Sequence, residues 1–250
     1  MAEHKFPTEV IDLPSLGKVY PKDSPLADGK IELKYMTTKE EDILMSQNLI
    51  KKGVVIDKLL DSLIVTEGVT QDDLLLGDKN AVLVAARILA YGPEYTVKIA
   101  NPKNPDQQIE HTFDLSQCPF KEAVEGVDYT NNSFDYTTSI GKTKLKFKLL
   151  TGKEEKLIDK DIEQSAKYGY DAGISTRLRY MITEVDGDKS QEVITAYTQN
   201  MLARDSAAFR KHVQEITPDI ELTQEIEIGG DTVSASIPLT VEFFWPSSIK

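Results

Sequence analysis

Residues 29–41 read GKIELKYMTTKEE, and residues 141–155 read GKTKLKFKLLTGKEE, the same pattern with two extra residues. Both run Gly-Lys, two variable residues, Leu-Lys-aromatic, and then Thr, any residue, Lys, Glu, Glu. Alternating side chains in each predict a strand: Ile31, Leu33 and Tyr35 in the first, Leu145 and Phe147 in the second. Thr37 with Glu40, and Thr151 with Glu154, have the spacing of a capping box. In that motif hydroxyl and carboxylate each satisfy a backbone amide that the first helical turn leaves free. A strand that runs straight into a capped helix, twice, predicts a duplicated unit.

The chain has 250 residues, room for one large domain or two smaller ones. With 40% hydrophobic and 28% charged residues it has the composition of an ordinary globular protein. The net charge of −12 opposes nucleic-acid binding, which needs clustered Lys and Arg, and opposes binding to an anionic membrane surface. No apolar run approaches the roughly 18 residues of a spanning helix, and residues 1–10, MAEHKFPTEV, carry no signal-peptide pattern. The single cysteine, Cys118, excludes an internal disulfide. The expectation is a soluble, cytosolic protein.

Outward from the repeated motif, residues 1–28 hold Pro7, Pro14, Pro21 and Pro25 among apolar Phe6, Val10, Ile11, Leu13, Leu16, Val19 and Tyr20. Proline removes an amide donor and disfavours helix, while a disordered tail would hold fewer apolar residues. The segment reads as an extended arm lying against something, either another protein or its own domain. Helices are predicted over 38–52, over 54–64 with Val55, Leu59 and Leu63 on one face, and from an Asp78 N-cap to the Tyr91-Gly92-Pro93 stop. Residues 95–99 and 110–115 read as short strands around a long turn. After a patternless stretch, with a possible strand at 134–138, the order returns. Helices fall at 154–166, 174–182, 193–201 and from Asp205 to Pro218. Strands at 221–228 and 232–241 flank Gly229-Gly230, a hairpin signal. The predicted fold is α+β and internally duplicated. Two pseudo-symmetric lobes, 29–117 and 134–243, each have several helices and a small, mostly antiparallel sheet. The arm (1–28), a connector (118–133) and an aromatic tail (244–250) complete the chain.

No catalytic constellation emerges. Gly141-Lys142-Thr143 resembles the end of a phosphate loop, but Tyr136 stands where the motif needs glycine. Asp186-Gly187-Asp188 has its glycine misplaced for a calcium loop. His4, His111 and His212 are scattered, so no metal site is expected, and there is no Gly-x-Ser-x-Gly elbow. Cys118 before Pro119 reads as structural. The end of the chain differs. Phe243, Phe244 and Trp245, the sole tryptophan, precede Pro246. Clustered aromatics with a Trp are what interfaces use as anchors, although they can equally plug their own core.

Residues 13–21 (LPSLGKVYP), the capped helix after GKIELKYMT, residues 74–92 (LLLGDKNAVLVAARILAYG) and residues 237–248 (IPLTVEFFWPSS) resemble the baseplate hub and hub-assembly proteins of T-even-type contractile-tailed bacteriophages. The resemblance covers nearly the whole chain. It implies a non-enzymatic protein that binds other baseplate or tail proteins, assembles in the host cytoplasm and ends in the virion. The alternative is a transient assembly chaperone absent from the mature particle. Some relatives carry Cys-x-x-Cys pairs in the last hairpin, suited to zinc; this chain has Ile228-Gly229-Gly230 there, so the metal is not carried over. No cofactor, nucleic acid, membrane or small-molecule substrate is expected. Contacts with partners are expected at Phe6, Leu13, Pro14, Tyr20 and Pro21 in the arm, and at Phe244, Trp245 and Pro246 in the tail.

Overall fold

In the computed structural model the described residues are 6–101, 104–167, 169, 172–228 and 230–244. The fold is α+β, with helices packed on small antiparallel sheets. Strand β1 (Thr8–Asp12) pairs with β2 (Lys30–Lys34), Ile11 opposite Ile31. What the arm lies against is therefore its own chain, and β1 is an edge strand. Helix α1 (Thr38–Met45) follows, then α2 (Gln47–Lys51) and α3 (Val55–Leu63). The single helix expected over 38–52 is broken at Ser46, which is extended (ψ 102°) and whose carbonyl restarts the helix by accepting from Leu49 and Ile50. Directly after α3, Ile64 bridges Leu33, which extends the small sheet on the far side of β2.

Helix α4 (Leu76–Tyr91) is buried on nearly every side, with Ala81, Val82, Leu83, Val84 and Ala86 all in the core. The hairpin β3 (Glu94–Asn101) and β4 (Asn104–Asp114) leaves its end. The strands absorb most of the turn expected between residues 99 and 110. Strand β5 (Phe120–Lys121) precedes β6 (Phe134–Thr137) and β7 (Lys144–Phe147). Next come α5 (Gly152–Ala166), α6 (Gly173–Met181), β8 (Ile182–Val185), α7 (Gln191–Asn200) and α8 (Ala203–Ile216). Strands β6, β7 and β8 form one sheet in that order. Strand β9 (Asp219–Ile220) pairs with β5, and β10 (Thr223–Ile228) with β11 (Asp231–Ser236).

Strand β11 stops at Ser236 rather than at residue 241. Pro238 has no amide to continue the ladder, and residues Val241–Phe244 coil into a 3-10 turn. Asp78 and Asp205 are not N-caps either. Each is the third residue of its helix, preceded by caps at Leu75 and Leu202. Both carboxylates reach out to a loop. Asp78 accepts from the Ser15 amide (2.9 Å), and Asp205 from the amides of Ile140 (3.0 Å) and Gly141 (2.9 Å).

The core divides in two, and each half lends residues to the other. Residues of α1, α3, α4, β3 and β4 enclose Ile220, Ile226, Ile237, Phe243 and Phe244 from the far end of the chain. The second cluster, around Phe134, Phe147, Ile158 and Phe209, takes in Val19 and Leu75 from the first half. Backbone bonds cross the seam: the Leu76 amide donates to the Leu150 carbonyl (3.2 Å) and the Gly152 amide to the Leu74 carbonyl (2.9 Å). Lys156 of α5 pairs with Asp72 (2.7 Å) and Asp57 (3.3 Å). Gly77 is required here, because a Cβ at that position would meet the Pro218 carbonyl oxygen at 1.9 Å.

Both capping boxes form, and each gains a lysine that spacing did not reveal. Lys34 Nζ lies 2.8 Å from Glu40 Oε1, and Lys148 Nζ lies 2.6 Å from Glu154 Oε1. Burial on its own would raise the Glu40 carboxyl. Hydrogen bonds from Lys34, Ser62 and Thr37 outweigh it and hold the group at about 2. A carboxylate lowered from 4.5 in this way stabilises the fold fully above pH 4.5, and that stability is lost as pH falls towards 2. The size of the effect is on the order of 3 kcal/mol. Urea titrations at pH 7 and pH 3 should therefore show acid destabilisation that shrinks in Glu40→Gln, whose pH 7 stability is already reduced. Thr37→Ala and Thr151→Ala should each cost about 0.5–2 kcal/mol at pH 7. Unchanged midpoints in both variants would remove the caps from the account of the fold.

Candidate partner-binding surface

The N-terminal segment leaves β1 and turns tightly back to β2. Leu16, Gly17 and Gly29 all have positive φ, and a Cβ on Gly17 would sit 2.3 Å from the Ala27 carbonyl oxygen. Leu13, Pro14, Ser15 and Val19 are buried by this turn. Tyr20 latches it to α4, its hydroxyl donating to Asp78 Oδ2 (2.6 Å) and accepting from the Leu75 amide (3.0 Å). Burial pushes the Asp78 carboxyl up, against the pull of hydrogen bonds from Tyr20 and Ser15. Burial and the neighbouring Asp78 push the Tyr20 phenol far above its ordinary value, so it remains a donor at neutral pH.

Of the residues expected to meet partners, Leu13 and Pro14 thus lie inside the chain's own core, and Tyr20 is half-buried. Phe6 and Pro21 face outward. Phe6, just before β1, is 48% exposed with Lys34 Nζ 5.2 Å from its ring centroid, and Val10 on β1 is 57% exposed. At the other end Phe244 is 1% exposed and packs edge-on against Phe243 at 5.4 Å, so it too belongs to the core. Trp245 and Pro246 lie outside the described residues.

Sequence reasoning missed Arg87. It is buried within α4, stacks over Tyr91 at 4.9 Å, and donates through Nε to the Phe243 carbonyl (3.0 Å). Its guanidinium also reaches the carbonyls of Gly92 (3.3 Å) and Glu94 (3.4 Å). One side chain thus ties the end of α4, the start of β3 and the C-terminal turn together. A lone Arg in an apolar helical stretch was the available signal. Among the described residues no group of His, Cys, Asp and Glu is arranged to hold a metal ion, and none of the helices is long and apolar enough to cross a membrane.

Two variants test these latches. Tyr20→Phe leaves a buried carboxylate short of a donor and the Leu75 amide without an acceptor. It should cost roughly 1–3 kcal/mol in urea denaturation. Arg87→Met strands the Phe243 carbonyl and should cost a similar amount, with faster amide exchange in residues 241–244. A Tyr20→Phe variant of unaltered stability would mean that Tyr20 is a surface group.

A family model described as T4 bacteriophage base plate protein matches residues 6–176. Searches of curated proteins and of solved structures return no match. The matched region runs from the edge strand β1 into α6. It takes in the Tyr20–Asp78 latch and both capping boxes, and bears out the resemblance drawn from residues 13–21 and 74–92. The role is non-enzymatic, that of a structural or assembly component that binds other tail proteins. The chain belongs to the T4 bacteriophage base plate protein family.

Proposed function

We propose that this chain is a subunit of the baseplate hub, assembled in the host cytoplasm and retained in the virion, and that its termini are where it meets its neighbours. The observation that carries the reading is the outer edge of β1. Residues 6–10 are all exposed, Phe6 and Val10 among them, and among the described residues β1 pairs with β2 alone. An edge of this kind can accept an added strand from another protein. Pro21 supplies a second exposed point on the same segment. Leu13, Pro14 and Phe244 are buried and Tyr20 half-buried, so they enter the proposal only as residues that hold the two termini in place. Trp245 and Pro246 follow Phe244 in the sequence and are proposed as contacts on their sequence alone. The alternative is a transient assembly factor. Mass spectrometry of purified particles separates the two: a stoichiometric signal is expected here, and its absence would leave the assembly factor. Trp245→Ala should keep the melting temperature and lose partner binding; unfolding of that variant alone would return the residue to the core.

We also propose that the chain is an internal duplication, with the first copy starting at β1 rather than at residue 29. Support comes from matched hydrogen bonds rather than from letters alone. Lys34, Thr37 and Glu40 have their counterparts in Lys148, Thr151 and Glu154. Leu33 bridges Ile64 just after α3, and Phe147 pairs with Ile182 just after α6. Ser15-Leu16-Gly17-Lys18 and Ser139-Ile140-Gly141-Lys142 are each held by an Asp in the third position of a later helix. In an experimental structure Glu40 should superpose on Glu154 and Asp78 on Asp205 under one rotation. Failure of either pair to follow the other would refute the duplication.

A further inference from the structure

Helices α6, α7 and α8 enclose a groove of about 360 Å³, lined by Ile174, Ser175, Leu178, Met201, Ser206 and Arg210 among others. We propose that this groove docks an amphipathic helix of another tail protein, with apolar anchors on one face and a carboxylate placed to meet Arg210. The proposal rests on the reading of the chain as a baseplate subunit, and it adds a surface that the termini do not provide.

Three observations carry it. The walls are helical faces: Ile174 and Leu178 stand one turn apart on α6, and Ala203, Ser206 and Arg210 share a face of α8. Small residues there (Ala172, Ser175, Ala203, Ser206) let an incoming helix approach closely, ridge into groove. The rim is apolar and open at Ile174, which is 57% exposed. The charge is the reverse of the protein's own. In a chain of net −12, the lining contains no Asp or Glu among the described residues. Its one charged group, Arg210, is exposed and makes no hydrogen bond or ion pair among them. An apolar trough whose single cation has no ion-pair partner among the described residues fits an apolar face flanked by a carboxylate.

The test uses the full chain and two synthetic peptides of equal length. Both carry leucines at helical spacing, one with Glu and the other with Lys on the flanking positions. By fluorescence anisotropy the Glu peptide should bind at least about tenfold more tightly than the Lys peptide. Arg210→Glu should reverse that order with the melting temperature unchanged, and Ile174→Asp should weaken both. Equal binding of the two peptides, binding of neither, or an unchanged order in Arg210→Glu would overturn the proposal. A dimer in sedimentation that Ile174→Asp abolishes would also overturn it, because the occupant would then be a second copy of this chain. Incorporation into baseplates separates the two readings. If Ile174→Asp and Arg210→Glu enter particles as wild type does, the groove fails and the baseplate reading stands. If wild type itself does not enter, that underlying reading fails.

Discussion

A carboxylate with no exposure to solvent sits in the first turn of α1, and the first half of the molecule is arranged around it. Glu40 accepts from the Thr37 amide, from Lys34 Nζ on β2 and from Ser62 Oγ on α3. A buried charge is tolerable only where its lone pairs are used, so these bonds constrain β2, the start of α1 and α3 at once. Breaking any one of them leaves the carboxylate short of a donor, which costs far more than an exposed ion pair would. Glu154, in the first turn of α5, repeats the lysine and threonine contacts at the same spacing, with Lys148 just after β7 and with Thr151.

The two regions built on these carboxylates do not stand apart. The C-terminal hairpin and turn complete the first core, and Val19 and Leu75 complete the second. Close backbone contact at Gly77 and Gly152 makes the exchange possible, since a side chain at either would collide with a carbonyl oxygen across the seam. A chain interlocked in this way presents rigid surfaces to its neighbours. For a structural subunit this matters, because ordering a loose element on docking consumes binding free energy.

The same interlocking explains why the aromatic end was ambiguous. Phe243 and Phe244 have the composition of an interface anchor, yet Arg87 and Tyr95 claim the turn for the first core. Open apolar surface lies elsewhere, and two such places are along β1 and between α6 and α8. There single residues such as Val10 and Ile174 carry no pattern that marks them out in sequence.

Local signals were sufficient for most elements. Period-two alternation marked β2 and β7, capping boxes marked the starts of α1 and α5, and glycine with proline ended α4; each depends on neighbours within a few residues. The family, too, was legible from residues 13–21 and 74–92. What sequence could not settle were the roles that depend on distant partners. Asp78 looked like a helix cap because caps are local and common. It serves instead as a latch for Ser15 and Tyr20, more than fifty residues away. Leu13 and Pro14 read as part of an arm lying against either another protein or its own domain, because prolines and apolar side chains read alike whichever surface covers them. Burial is a property of the assembled core, and only the tertiary structure decides which apolar residues it encloses and which it leaves for a partner.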